Sequence, residues 1–316
     1  MKKIVLVHPD RETIKSFMFL VENDIIPKRN LEVDVLFLKE VSRNYNTSIK
    51  FFKENKPSNF NFISIEGRFN SNDFSKENEF SALFLDIFNN SSEVYFLGGS
   101  DFPSKLYGER QKITSYSKCL QRHLFELSFL YHLLGNENLE PFLEKNPNYS
   151  IKGICLGMQT LNIAGGGNLY QDIISEVYNL DYIDEILNLD IHAQHKNYDS
   201  CLFSDRSFFT YNIHEVKNVQ TKEVVSVLSY HHQAIKRLSN QYEVSFLSMD
   251  GKIIEGIQHK KYKNVSGVQF HPENLRIFNK KSLCYDFPKE GIFNNTIFNL
   301  LREKKSLKFH LDYFNN

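Results

Sequence analysis

The stretch Gly153-Ile154-Cys155-Leu156-Gly157 begins within a strand-like segment, residues 151–154, and opens a helical pattern with apolar residues at 158 and 161. A strand that turns directly into a helix, with a nucleophile between two glycines, is a nucleophile elbow. Glycines suit the flanking positions because the turn is crowded. Cys155 would lie at a helix N-terminus, which favours a thiolate, and the backbone N–H of Leu156 would point toward a developing oxyanion. The alternative is a buried cysteine beside two turn glycines.

Strand-like and helical segments alternate before this stretch. The predicted strands are residues 4–7, 33–38, 62–65, 94–97 and 151–154, and the predicted helices are 12–22, 81–89 and 118–134. Strands that alternate with helices indicate a mostly parallel sheet with helices on its faces. The sequence therefore predicts a three-layer α/β fold.

The pattern after the elbow consists of short strands with polar connections. Residues 224–228, 244–247, 253–258 and 265–270 are predicted strands, which we expect to be added at one edge of the sheet. Residues 293–302 are predicted to form a helix, residues 44–61 a helix with loops, and residues 136–150 and 181–204 surface insertions. Because no linker is visible, we predict one domain over residues 1–316, with a divergent opening part (1–93) and a helical tail (274–316).

Composition excludes several classes of protein. The 316 residues include 38 basic and 38 acidic side chains, and this zero net charge predicts no nucleic-acid or membrane partner. A hydrophobic share of 41% excludes a disordered chain. The four cysteines form no C-x-x-C pair, which predicts free thiols. The first apolar run is too short for a secretion signal, and no stretch is long enough to span a membrane, so we expect a cytoplasmic protein.

The stretch Gly267-Val268-Gln269-Phe270-His271-Pro272-Glu273 ends a predicted strand with a second set of reactive groups. His271 and Glu273 are two residues apart, so an extended backbone places both on one side. The carboxylate can then orient the imidazole, and the imidazole can deprotonate a thiol. Alone, the motif could equally be a strand end with a surface histidine and glutamate.

Together, the two motifs resemble the class I glutamine amidotransferase-like superfamily, and within it the γ-glutamyl hydrolase-like branch (peptidase family C26, which includes γ-glutamyl-γ-aminobutyrate hydrolases). Further segments are similar to that branch: Gly98-Gly99-Ser100-Asp101 with Pro103 and Leu106-Tyr107-Gly108-Glu109, Arg122 with Phe125-Glu126, Gly166-Gly167-Asn168-Leu169-Tyr170-Gln171-Asp172, and Tyr230-His231-His232-Gln233-Ala234-Ile235-Lys236. The resemblance covers residues 94–273.

The resemblance implies a cofactor-free thiol hydrolase with the three-layer α/β fold of this superfamily. Cys155 would attack a γ-glutamyl amide, His271 would act as base and then acid, and Glu273 would orient His271. The backbone N–H groups of Gly99 and Leu156 would form the oxyanion hole. Substrate binding would fall to Gly98, Gln159, His231, His232 and Gln233. Two alternatives remain open. Gln159 could lie on a helix surface, and the two histidines could lie on a solvated loop.

Five further positions qualify this assignment. His192 and His195 have the spacing of a metal-binding pair, but without a third ligand in sight we predict a substrate-side loop or plain surface and no metal. Leu156 stands where the branch often has Arg, Phe102 where it often has an acidic or small polar residue, and His123 where it has an acidic one.

The predicted function is therefore cleavage of a small γ-glutamyl compound through a γ-glutamyl thioester, with release of glutamate and an amine. One alternative is a glutamine amidotransferase subunit that supplies ammonia to a partner synthetase. Another is a non-catalytic regulatory protein on the same fold. A homo-oligomer is compatible with each of these functions.

Overall fold

A ten-stranded sheet forms the centre of the part of the chain that the structure describes. The structure is a computed structural model that describes residues 2–55, 57–70, 73–198, 211–281 and 296–315. Its strands are β1 (Lys2–Val7), β2 (Leu31–Leu38), β3 (Phe60–Ile65), β4 (Glu93–Phe96), β5 (Ser150–Ile154), β6 (Asn168–Tyr170), β7 (Asn212–Asn218), β8 (Val224–Ser229), β9 (Ala234–Arg237), β10 (Tyr242–Ser248), β11 (Ile254–His259) and β12 (Val265–Val268). The large sheet has the order β3-β2-β1-β4-β5-β12-β11-β10-β7-β8, and β6 pairs with β9 separately.

Helices flank this sheet. They are α1 (Arg11–Glu22), α2 (Ser42–Asn55), α3 (Ser81–Asn90), α4 (Leu120–Leu134), α5 (Leu156–Ala164), α6 (Ile183–Leu187), α7 (Ile297–Glu303) and α8 (Leu307–Asp312). Among the described helices, none is long and apolar enough to cross a lipid bilayer. The predicted α/β fold with a mostly parallel sheet is confirmed, whereas the one-domain organisation stays a prediction.

The parallel half of the sheet contains the five strands predicted before the elbow. β3, β2, β1, β4, β5 and β12 pair in parallel in that order. Residues 4–7 of β1 are at most 1% exposed. Such continuous burial is expected because helices cover both faces of a parallel sheet.

The antiparallel half differs from the prediction in one respect. β11, β10, β7 and β8 extend the sheet as added strands. The prediction of an edge position for residues 265–270 is wrong, because β12 lies inside the sheet and pairs in parallel with β5. Gly267 allows β12 to pack against α5 in this inner position, since a Cβ at residue 267 would lie 2.8 Å from the Met158 side chain.

Two predicted surface insertions are partly buried. In segment 136–150, Leu143 and Tyr149 are at most 1% exposed, and the Tyr149 hydroxyl is 2.8 Å from Ser91 Oγ. In segment 181–204, Ile186 and His195 are buried, and residues 199–204 lie outside the described part. The predicted C-terminal helix corresponds to α7, although residues 293–295 also lie outside that part.

The outer strand β8 is covered by the C-terminal helices. The Ser226 backbone N–H donates to Ser306 Oγ at 2.8 Å, and His310 Nε2–H donates to the Ser226 carbonyl oxygen at 3.0 Å. Both outward backbone groups of this residue are therefore satisfied by side chains.

The turn from β5 into α5 is packed tightly against β4. A Cβ at Gly157 would lie 1.9 Å from the Phe96 carbonyl oxygen. A Cβ at Gly153 would lie 2.8 Å from backbone atoms of Gly157. Because backbone atoms cannot move aside as a flexible side chain can, both positions require glycine.

We expect Gly157→Ala to lower the free energy of unfolding by more than about 3 kcal/mol, because the new methyl overlaps the Phe96 backbone. Gly108→Ala is the matched control, since Gly108 has φ +77° but, apart from its chain neighbours, no atom of the described residues lies within 4 Å of the new methyl position. That variant should lose only about 1 kcal/mol through backbone strain. Urea unfolding followed by circular dichroism measures both values. Equal losses would contradict the close approach of α5 to β4.

Candidate active site

Three adjacent parallel strands end at one cavity. β5 lies between β4 and β12. Gly98 follows β4, Cys155 follows β5 and His271 follows β12. The carboxyl ends of parallel strands are the usual ligand site of such sheets, and a cavity of about 830 Å³ opens there. All ten residues predicted for the site line it: Gly98, Gly99, Cys155, Leu156, Gln159, His231, His232, Gln233, His271 and Glu273. Their chemical roles stay predictions.

The Cys155 backbone has the strained conformation of a nucleophile elbow, with φ 54° and ψ −107°. Its N–H donates to the Val268 carbonyl oxygen at 2.8 Å, which ties the turn to β12. The thiol lies 4.0 Å from the Tyr230 carbonyl oxygen, and Gln269 Nε2 lies 3.6 Å from Sγ. The sulfur is thus held in a polar environment at the N-terminus of α5.

His271 is oriented by a carboxylate. Its Nδ1–H donates to Glu273 Oε1 at 2.8 Å, and the Tyr211 ring packs edge-on against the imidazole at 5.2 Å. Burial alone would lower the pKa of His271, but Glu273, Tyr211 and Cys155 outweigh it and raise that pKa well above its usual value. The tautomer leaves Nε2 as the nitrogen available to accept a proton. Within the described residues, Nε2 has no hydrogen-bond partner.

A buried arginine holds the Gly98-Gly99 loop. Arg122 Nη2 donates to the carbonyl oxygens of Leu97 at 2.9 Å and Gly98 at 3.0 Å. Arg122 Nε donates to Glu126 Oε1 at 2.7 Å, and a Cβ on Gly99 would lie 2.1 Å from Nη1. Fixed carbonyls fix the neighbouring N–H groups as well. The i, i+4 spacing of Arg122 and Glu126 is visible in the sequence, but the resemblance alone gave it no role.

Two glutamines join the elbow to the substrate loop. Gln159 is 3% exposed, so the alternative of a helix-surface position is wrong. Its Nε2 donates to the Gln233 carbonyl oxygen and to Gln269 Oε1, both at 3.2 Å. Gln269 also donates to the Cys155 sulfur. Sequence reasoning missed Gln269, whose only signal was its place two residues before His271.

The His231–Gln233 loop is packed, not solvated. His231 and Gln233 are buried, and Gln233 Oε1 accepts from the Phe102 N–H at 2.8 Å. His232 lies between Asp172 Oδ1, 3.1 Å from Nδ1, and Asp101 Oδ1, 2.9 Å from Nε2. Burial alone would lower the pKa of His232, but hydrogen bonds to Asp101 and Asp172 raise it to about 9. The ring is therefore an imidazolium at neutral pH.

Two of the departures from the family pattern contact each other. Phe102 is fully buried, and its ring packs edge-on against His123 at 5.0 Å. Burial and the nearby Arg122 lower the pKa of His123 to about 3, so the imidazole is neutral. A neutral pair thus stands at the two positions where the resemblance leads one to expect acidic or polar residues. Leu156, the third departure, is also buried.

His192 and His195, the pair with the spacing of metal ligands, lie in two different environments. His192 is partly exposed, and its Nδ1 accepts from the Glu215 N–H at 3.0 Å. His195 is 1% exposed, so the prediction of plain surface is wrong for this residue. Its burial could not be seen from the local sequence, because its neighbours His214 and Glu255 come from strands β7 and β11.

We expect His232→Gln to lose its destabilising effect as pH rises. The pKa of His232 is raised above that of an unfolded histidine, so its stabilisation is complete below about pH 6.5 and lost as pH passes about 9. The difference in unfolding free energy from wild type should shrink by about 3 kcal/mol over that interval. Urea titrations at pH 6, 7.5 and 9 measure it.

His259→Gln is the control for this titration. Burial and the nearby lysines lower the pKa of His259 to about 4, so its charge does not change between pH 6.5 and 9. The difference in unfolding free energy from wild type should therefore change more steeply with pH for His232→Gln than for His259→Gln. Parallel pH dependence of both would show that His232 is not held as an imidazolium.

Comparison with known proteins identifies the family. Residues 78–273, more than half of the chain, match the family model described as Peptidase C26. Protein NtpR of Enterococcus hirae is 30% identical over 186 residues, which are 57% of this chain and 66% of NtpR. YvdE of Lactococcus lactis, named as a glutamine amidotransferase-like protein, is 29% identical over 181 residues, 57% of this chain and 65% of YvdE. Anthranilate synthase component 2 of Cyanophora paradoxa is 30% identical over 139 residues, 43% of this chain and 58% of that protein.

The chain thus spans slightly less than two thirds of the length of these curated relatives. The region that matches the family model contains the elbow, the Gly98-Gly99 loop and the His271–Glu273 pair. The chain therefore belongs to the peptidase C26 family, within the class I glutamine amidotransferase-like superfamily.

Proposed function

We propose that the protein is a cysteine-dependent hydrolase of a small γ-glutamyl compound. The observation that carries the proposal is a cysteine in a nucleophile elbow beside an imidazole whose tautomer is fixed by Glu273. Family membership supports the same class of reaction on a C–N bond. Cys155, His271 and Glu273 are the proposed nucleophile, base and orienting carboxylate.

The reaction follows from these positions. His271 Nε2 takes the thiol proton as Cys155 Sγ attacks the γ-carbonyl carbon. The tetrahedral intermediate collapses with cleavage of the C–N bond, and the leaving amine receives the proton from His271. A water molecule, deprotonated by His271, then cleaves the γ-glutamyl thioester. Glutamate leaves and the thiol is restored.

The intermediate carries an oxyanion that must be stabilised. The N–H groups of Gly99 and Leu156 are the proposed donors, because both follow strand ends that border the cavity. Arg122 supports Gly99 by fixing the carbonyl groups of Leu97 and Gly98. The charge on Arg122 is already neutralised by Glu126, so we assign it a positioning role.

The glutamyl end is assigned to the cavity wall around Gln159, His231, His232 and Gln233. A cavity of about 830 Å³ is larger than free glutamine, with about ten non-hydrogen atoms, needs. The size therefore favours a γ-glutamyl compound with an amine part of its own. Asp101 and Asp172 add carboxylates close to this wall, which suits a substrate with an ammonium group.

One observation favours a second candidate function, a glutamine amidotransferase subunit. The relative from Cyanophora paradoxa is named as component 2 of anthranilate synthase, so its name refers to a protein with another component. Under this alternative, the same thioester chemistry would act on glutamine, and ammonia would pass to a partner synthetase.

We expect Cys155→Ala to reduce glutamate release from a panel of γ-glutamyl amides by at least about 10³-fold, because the proposed thioester forms on the Cys155 sulfur. The panel contains glutamine, γ-glutamyl amino acids and γ-glutamyl amines, and coupled glutamate detection follows each reaction. Cys119→Ala is the control, since it removes a free thiol that also lines the cavity but lies outside the elbow; its activity should stay within about tenfold of wild type.

The panel also separates the functions. Cys155-dependent release from a γ-glutamyl amine supports the hydrolase. Release from glutamine alone, with ammonia production that rises when a synthetase partner is added, would replace it by the amidotransferase. Absence of release from every member, with unchanged folding, would point to a non-catalytic protein.

A further inference from the structure

A second set of chemically reactive groups is buried outside the proposed catalytic residues. It consists of His195, His214 on β7, His231 after β8 and Glu255 on β11. Each of the four residues is at most 6% exposed, and Glu255 is fully buried. A buried carboxylate requires a compensating positive charge or several hydrogen bonds.

The distances place three imidazoles around one carboxylate oxygen. Glu255 Oε1 lies 3.0 Å from His195 Nδ1, 3.7 Å from His231 Nε2 and 3.9 Å from His214 Nε2. One ligand atom each of His195, His214 and Glu255 lies within 4.8 Å of the other two. A tetrahedral ion with bonds of about 2.0–2.1 Å separates its ligands by about 3.3 Å. The observed spacings bracket that value.

Hydrogen bonds do not account for these groups. Among the described residues, both nitrogens of His195 and His214, Nε2 of His231 and both oxygens of Glu255 have no hydrogen bond of acceptable geometry. Such a set of unpartnered buried polar atoms is rare in native proteins and indicates that a binding partner is missing. The approach of His195 Nδ1 to Glu255 Oε1 at 3.0 Å is thus a close contact without the geometry of a hydrogen bond.

The protonation state of His231 suits a cation as the missing partner. His231 Nδ1–H donates to the Gln233 carbonyl oxygen at 2.9 Å, so Nε2 presents a lone pair toward Glu255. A backbone carbonyl that fixes the tautomer is the usual support of a metal-ligating histidine.

We propose that His195, His214 and Glu255 bind a divalent transition-metal ion of the zinc type, with His231 as the fourth ligand. Nitrogen and carboxylate ligands in a four-coordinate arrangement are typical of zinc, and four protein ligands leave no open position for chemistry. The site is therefore structural. It contains neither Cys155 nor His271.

The ion would join four separate parts of the chain. It fixes the segment that carries His195 to β7, to β11 and to the start of the His231–Gln233 loop. The backbone already links two of these parts, since the His231 N–H donates to the His195 carbonyl oxygen at 3.1 Å. The metal thereby fixes the His231–Gln233 loop, which borders the cavity.

The test is the zinc content and zinc affinity of the full chain. Protein stripped with a chelator is titrated with Zn²⁺, and bound metal is measured by inductively coupled plasma mass spectrometry. We expect about one zinc ion per chain and a rise in Tm on binding. Glu255→Gln, which keeps the side-chain shape, should weaken zinc binding by at least about 100-fold.

Two controls separate this site from others. His192→Gln removes a histidine of the same segment that lies outside the cluster and should leave zinc affinity within about twofold. Cys155→Ala should retain the metal as well, because the proposed site contains no thiol. A wild-type protein that binds no zinc, or one whose zinc is lost in Cys155→Ala and kept in Glu255→Gln, would overturn the proposal.

Binding of Co²⁺ to the wild-type protein tests the identity of the metal ligands without a variant. Co²⁺ in wild type should show the visible bands of a tetrahedral nitrogen and oxygen site without thiolate charge transfer. Thiolate charge transfer would place the metal on a cysteine and refute the proposal. Failure of glutamate release in the activity panel would leave this result unaffected, because metal binding is measured directly.

Discussion

The backbone of Cys155 imposes the main constraint on this structure. A non-glycine residue at φ 54° costs about 1–3 kcal/mol and persists only when its surroundings determine it. Here the hydrogen bond to Val268 holds the turn from the β12 side, and the contact of Gly157 with the Phe96 carbonyl holds it from the β4 side. Both neighbouring strands are therefore needed to keep the sulfur in place. The same two strands end in the Gly98-Gly99 loop and in His271, so the packing that maintains the strain also assembles the candidate site.

Buried polar groups form sets of paired opposite charges around this turn. Arg122 and Glu126 neutralise each other while Arg122 holds the carbonyl groups of the oxyanion loop. His232 bridges two aspartates and fixes the far wall of the cavity. A buried ion pair adds little stability by itself, but the loss of one partner leaves an uncompensated charge. The sets therefore fix geometry more than they contribute free energy. The Phe102–His123 contact shows that this protein replaces one such polar position by a neutral pair.

Local sequence patterns predicted the features that local physics determines. The parallel strands contain short apolar stretches, and the elbow and the His271–Glu273 pair are compact motifs, so each could be recognised within a few residues. Sheet order is a long-range property, which is why the place of β12 was predicted wrongly. β7 was missed because its buried face carries Asn212 and His214 where a hydrophobic pattern is expected. The same limitation hid the His195 and Glu255 neighbourhood, since residues from distant strands meet there only in the folded sheet.

The covering of β8 by Ser306 and His310 has a consequence for the order of folding. An outer strand with free backbone groups can pair with a strand of another molecule. In this chain the protecting side chains are Ser306, in the loop between α7 and α8, and His310, in α8. During synthesis the sheet can therefore form well before its edge is closed. A nascent or C-terminally truncated chain exposes a strand that the finished protein conceals, which makes the last turn of α8 a safeguard against misassembly.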